Sequence, residues 1–160
     1  MGTYCLENNK LILFVHQSPL FIRATLFLFA LLSVCLPITG LTLRMVMGDG
    51  FHFGFLFGIA LFGLLGFYLL RVFLWNSYGK ETIIFTNDGI TYEADYGWFK
   101  SSKQFANIVE THFMISPIGY EDENLGVLII RINESTIETV TKLPQETLEK
   151  LIQELKDLKN

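Results

Sequence analysis

Cysteine is nearly missing from this chain: Cys5 and Cys35 are the only two in 160 residues. Cys35 falls inside a long apolar run, so no disulfide framework is expected and Cys35 reads as a small packing residue. Histidine is as sparse. His16, His52 and His112 stand far apart in the sequence, without the spaced Cys, His or carboxylate partners of a zinc site. Positive charge is also short. From Asn76 onward eight Lys or Arg face fourteen Asp or Glu, a difference of minus six. That sign disfavours nucleic acid as a partner and phosphoinositide-style headgroup recognition. Lys100 and Lys103 are the local basic pair left to touch a lipid phosphate.

Catalytic signatures are lacking too. Gly79 and Lys80 have no upstream glycine of a phosphate-binding G-x-x-x-x-G-K-S/T loop, and no G-x-S-x-G nucleophile elbow occurs. Glu93 and Asp95 alternate along a predicted strand, where carboxylates on an outer face usually serve solubility. The chain therefore reads as a non-enzyme with no cofactor and no metal. Residues 1–18 are mixed in polarity and no A-x-A-like cleavage site follows, so the apolar region is expected to be retained rather than removed as a signal peptide. Val34 before Cys35 fits a lipidation site poorly.

What the sequence does have is two long apolar runs. Arg23 and Arg44 bracket twenty uncharged residues, Ala24 to Leu43, which as a helix cover a bilayer core of roughly 30 Å. Gly50 to Leu70 is uncharged apart from His52, which reads as an interfacial residue. The two predict a transmembrane hairpin over 19–75, with helices at about 22–43 and 51–74. Ser18 is expected as the cap and Pro19 as the first helical residue. Pro37 is expected to kink the first helix, with Thr39 helping to satisfy the freed backbone. The second run carries Gly54, Gly58, Gly63 and Gly66 as helix-packing residues, Gly54 and Gly58 at G-x-x-x-G spacing. They pack either on the chain's own first helix or on a foreign helix or second copy, which makes a homo-oligomer through the hairpin one expectation. Lys10, Arg23, Arg71 and Lys80 flank one side against Arg44 on the other, so both termini are expected to be cytoplasmic.

The remainder reads as a small α+β domain over 76–160. Glu81 to Thr86, the turn signal Asn87-Asp88-Gly89 and the alternating Ile90 to Tyr96 predict a β-hairpin. Gly97 to Lys103 predicts a further turn and strand, Phe105 to Phe113 one strand, Gly126 to Ile132 a central strand and Thr136 to Lys142 another. Pro144 to Asn160 predicts an amphipathic helix with Leu148, Leu151, Ile152, Leu155 and Leu158 on one stripe. Residues 1–18 predict a strand segment, Lys10 to His16, that either joins this sheet or lies at the membrane interface. Tyr96, Trp98 and Phe99 beside Gly97 are candidate anchors for a protein partner, or else core or membrane-facing rings. The acidic Glu121, Asp122 and Glu123 are candidates to meet a basic partner surface, or else a solvated loop.

The order of N-terminal strand, two-helix hairpin, I-I-F-T-N-D-G-I-T-Y-E hairpin, I-V-E-T strand and closing L-P-Q-E-T-L-E-K-L-I-Q-E-L helix resembles the bacterial pleckstrin-homology-like membrane proteins of the YcxB-like type. The resemblance implies a curled antiparallel sheet capped by the C-terminal helix, in the bacterial inner membrane, serving as a binding module. It carries no catalytic residue across. The expected function is protein binding at the membrane, as an immunity factor against a membrane-acting or cytosolic toxin. The alternatives are a structural or regulatory subunit of a membrane complex, or a lipid-binding module.

Overall fold

The computed structural model describes residues 3–48, 53–107, 111–119, 123–132 and 135–157. The chain divides into two compact units. One is formed by residues 17–77, the other by 1–16 together with 78–160.

The strand signals build the second unit. β1 (Thr3–Glu7) and β2 (Lys10–Phe14) form a hairpin. Its two-residue loop, Asn8 and Asn9, takes positive φ at both positions, which matches the right-handed twist of the strands and which Asn tolerates. β2 then pairs with β3 (Lys80–Phe85), from Lys10 opposite Ile84 to Phe14 opposite Lys80. The N-terminal segment therefore joins the sheet. β4 (Gly89–Asp95) pairs with β3, and β5 (Gln104–Asn107) closes a five-stranded antiparallel sheet in the order β1-β2-β3-β4-β5. In the tight turn between β3 and β4 the Thr86 hydroxyl donates to the Gly89 carbonyl at 2.8 Å and accepts from the Gly89 N–H at 3.2 Å.

β6 (Thr111–Pro117), β7 (Leu125–Ile132) and β8 (Ser135–Glu138) form a second antiparallel sheet, with the two-residue β9 (Leu143–Pro144) also on β7. The predicted strand Phe105 to Phe113 is thus two strands in different sheets. Ile108 and Val109, expected to face inward on or near that strand, lie outside the described residues. Gly97 to Lys103 forms a turn with a single bridge, Asp95 to Lys100, rather than a strand.

The period-two pattern places Leu11, Leu13, Ile83, Ile90, Leu128 and Ile130 fully inside. The Phe85 and Phe113 rings meet edge to face at 6.2 Å, one from each sheet. α3 (Gln145–Asp157) closes the unit, burying Leu148, Leu151, Ile152 and Leu155 along one stripe. Leu158 lies outside the described residues. The result is an α+β layout.

The first unit is a helical hairpin of α1 (Leu20–Val46) and α2 (Phe53–Tyr78). Both helices are long and apolar enough to cross a membrane, and only 11% and 6% of their most apolar windows are buried in the protein. The core helix of a soluble domain would bury most of that surface. The helices meet through Phe27 and Phe73, whose ring centroids lie 5.2 Å apart. At the open end of the hairpin Ser18 does not cap α1. Pro19 is the N-cap without a side-chain bond, and the Ser18 hydroxyl donates instead to Asn76 Oδ1 at 2.6 Å. The Thr39 hydroxyl donates to the Cys35 carbonyl at 2.8 Å, four residues back. The carbonyl that Pro37 leaves free is that of Ser33.

Candidate functional site

The four glycines of α2 differ in what lies above them. At Gly66 an added Cβ would sit 2.9 Å from Val34 Cγ2 and 3.1 Å from the Ala30 carbonyl oxygen. Here α1 and α2 touch backbone to side chain, and only glycine fits without a shift. At Gly54, Gly58 and Gly63 an added Cβ would meet nothing within 4 Å. The Gly54 and Gly58 pair therefore does not pack on the chain's own first helix. Instead it lines a cleft of about 520 Å³ between the helices, facing Leu36, Pro37 and Gly40. Its walls are almost wholly apolar.

The turn after β4 is the second feature. Gly97, at φ +89°, takes a backbone conformation that suits glycine, and its added Cβ would lie 2.8 Å from Tyr78 Cβ. The Gly97 N–H donates to Asp95 Oδ1 at 2.8 Å, and the Tyr96 N–H to the Phe99 carbonyl at 2.9 Å. Ser101 donates its N–H to the Ala94 carbonyl at 2.7 Å and accepts the Ala94 N–H on its hydroxyl at 2.9 Å. Tyr96 is buried and stacks on Phe99 with centroids 4.8 Å apart. These two rings stiffen the turn. Trp98, at its tip, is 67% exposed. Sequence placed the three aromatics together; the structure separates two supports from one presented ring.

The acidic candidates split as well. Glu123 is exposed, whereas Glu121 and Asp122 lie outside the described residues. Glu93 and Asp95 each sit beside a lysine, Glu93 with Lys100 and Asp95 with Lys80, both at 3.4 Å. Among the described residues no group of three His, Cys, Asp or Glu gathers to hold a metal.

One carboxylate that sequence reasoning passed over lies fully buried. Glu81 accepts the Tyr92 hydroxyl at 2.6 Å and the Val140 N–H at 2.8 Å on Oε1, and the Thr141 N–H at 2.8 Å on Oε2. It joins the first sheet to the segment after β8. Burial, then the Glu81 charge and the hydrogen bond to it, raise the Tyr92 phenol above its ordinary value. A signal was present: Glu81 shares its strand face with Ile83, two residues on, and period two places both inward.

No family model matches the chain, and no curated protein or solved structure matches it either. The function must be read from the two surfaces just described.

Proposed function

We propose that this chain is a non-enzymatic, membrane-anchored binding protein whose helical hairpin receives a transmembrane helix of another protein. In this reading α1 and α2 span the bacterial inner membrane and a pleckstrin-homology-like unit lies on the cytoplasmic side. The pairing of β2 with β3 supports that topology, because it returns the chain ends on either side of the hairpin to one side of any membrane. The basic residues Lys10, Arg23, Arg71 and Lys80 favour the cytoplasm for that side.

The observation that carries the proposal is the uncovered Gly54 and Gly58 pair. Lipid tails are as apolar as leucine, so membrane helices associate through close packing and interhelical hydrogen bonds rather than the hydrophobic effect. Small residues four apart allow that close approach. In this hairpin the chain's own contact uses Gly66, and the second small-residue surface stays open beside an apolar cleft. In its narrowest form the partner is a membrane-acting toxin and the chain is its immunity factor. A compact, non-catalytic hairpin that occupies a toxin's helix blocks assembly of the toxin without any chemistry. The same cleft also suits a subunit of a larger membrane complex, and the identity of the bound protein decides between the two.

The test is purification from native membranes in mild detergent, with bound proteins identified by mass spectrometry. A stoichiometric membrane protein that is lost when Gly54→Ile and Gly58→Ile are combined is the expected result. Capture unchanged by that pair of substitutions would remove the cleft from the account.

A further inference from the structure

We infer that the tip of the 96–99 turn is a membrane-interface anchor, with Trp98 seated among lipid headgroups beside Tyr78 at the end of α2. The inference rests on the reading that α2 spans a membrane.

Chain length sets the reach. Trp75 is the last large apolar residue before Asn76, and Tyr78 ends the helix three residues later, about 4.5 Å of rise. The headgroup layer on each side of the hydrocarbon is about 5–7 Å thick, so a span that ends at Trp75 leaves Tyr78 within it. Lys80, where β3 begins, follows by two residues, at most about 7 Å of extended chain. The start of β3 therefore lies within about 7 Å of Tyr78 along the chain.

The turn lies at that same end. Phe14, Lys80 and Asp95 are in register across β2, β3 and β4, and Lys100 bridges back to Asp95. Gly97 is backed against the Cβ and Cγ of Tyr78. Trp98, Tyr78 and Phe14 are 67%, 56% and 40% exposed, three large rings at one end of one sheet. Indole and phenol combine an apolar body with a polar handle, and both concentrate at the membrane interface for that reason. The bonds within the turn and the stack of Tyr96 on Phe99 hold Trp98 in place before it meets lipid, so little ordering entropy is lost on contact.

Charge selects the kind of lipid surface. Lys80 and Lys100 are matched by Asp95 and Glu93, and the chain from Asn76 onward carries a formal minus six. Recognition here comes from ring burial at the glycerol and headgroup level. It does not require anionic phosphates.

The full chain with Trp75→Phe leaves Trp98 as the only tryptophan. Reconstituted into phosphatidylcholine vesicles, it is expected to show blue-shifted emission, quenching by lipid brominated near the top of the acyl chain, and protection from aqueous iodide. Adding phosphatidylglycerol is expected to leave these readings unchanged. Alkaline carbonate extraction of the same vesicles tests the membrane reading separately. Protein that washes off overturns that reading and the anchor with it. Protein that stays embedded while Trp98 is fully open to iodide and untouched by brominated lipid overturns the anchor alone, leaving the ring for a protein partner. Quenching that appears only with phosphatidylglycerol overturns the anchor as stated, since ring burial alone would then not seat Trp98.

Discussion

Replacing Glu81 by Gln tests whether one buried carboxylate holds the first sheet to the segment between β8 and β9. Gln keeps the shape but turns one acceptor oxygen into an NH₂ group. If that group takes the Oε2 position it faces the Thr141 N–H; at Oε1 it faces the Val140 N–H. Either way one backbone donor loses its acceptor, which costs about 1–3 kcal/mol. The surviving bonds change from charge-assisted to neutral and weaken by about 1 kcal/mol each. Removal of a buried charge offsets part of this. The expected net loss is about 3 kcal/mol, or about 12–24 °C in the midpoint of a domain of roughly 100 residues. Equilibrium unfolding of the detergent-solubilised full chain measures the loss, and amide hydrogen exchange locates it. The Val140 and Thr141 amides are expected to exchange much faster. A loss within about 0.5 kcal/mol, the scatter of ordinary surface substitutions, with both amides still protected, would refute the reasoning.

The partner phenol gives a pH signature. Tyr92 holds its proton in the folded state above the ordinary value of 10.0, so above about pH 10 the unfolded chain releases a proton that the folded one keeps, and stability falls as pH rises. Tyr92→Phe is expected to remove that part of the slope in unfolding experiments between about pH 9 and 11; an identical slope in both proteins would contradict it. Gly89→Ala places a Cβ 2.7 Å from the Ala106 carbonyl oxygen and 2.5 Å from the Phe105 ring, and is expected to cost about 1–3 kcal/mol by denaturant titration. Gly66→Ile drives a side chain into Val34 and the Ala30 carbonyl, so it is expected to lower the thermal midpoint of the helical hairpin in detergent. Gly54→Ile, with open space above it, is expected to leave that midpoint unchanged, and equal losses in the two would undo the distinction between them.

Much of the fold is legible in the sequence because long periodic runs leave little choice. The two helices follow from apolar length, α3 from its 3.6-residue stripe, and the β3–β4 hairpin from alternation around Asn87-Asp88-Gly89. The break between β5 and β6 is not legible. Residues from Phe105 to Phe113 contain neither Gly nor Pro, so no local breaker marks the step from one sheet to the other. The helix start misleads for a different reason. Ser18 is a good cap by type, but its hydroxyl has a competing acceptor in Asn76, 58 residues away, which no local pattern reveals. Among the candidate residues, clustering was legible and exposure was not. Tyr96, Trp98 and Phe99 are neighbours in sequence, yet burial of one and presentation of another are decided by the backbone turn at Gly97.

The helical hairpin is inserted in the chain between β2 and β3, two paired neighbours of one sheet. β2 ends at Phe14 and its partner β3 begins at Lys80, so 65 residues intervene between two hydrogen-bonded neighbours. Closing a flexible loop of that length costs about 4 kcal/mol in the length-dependent term alone. Pairing of α1 with α2 shortens the effective loop and so offsets most of that cost. In the hairpin the Ser18 N–H donates to the Asn76 carbonyl at 3.3 Å and the Gln17 side chain to the Ser77 carbonyl at 3.1 Å, so its two chain ends are held close together. Without β3, β1 and β2 would be a two-stranded hairpin alone, which is marginal in water. The helical hairpin thus closes the loop between β2 and β3, and the close approach at Gly66 helps hold α1 to α2.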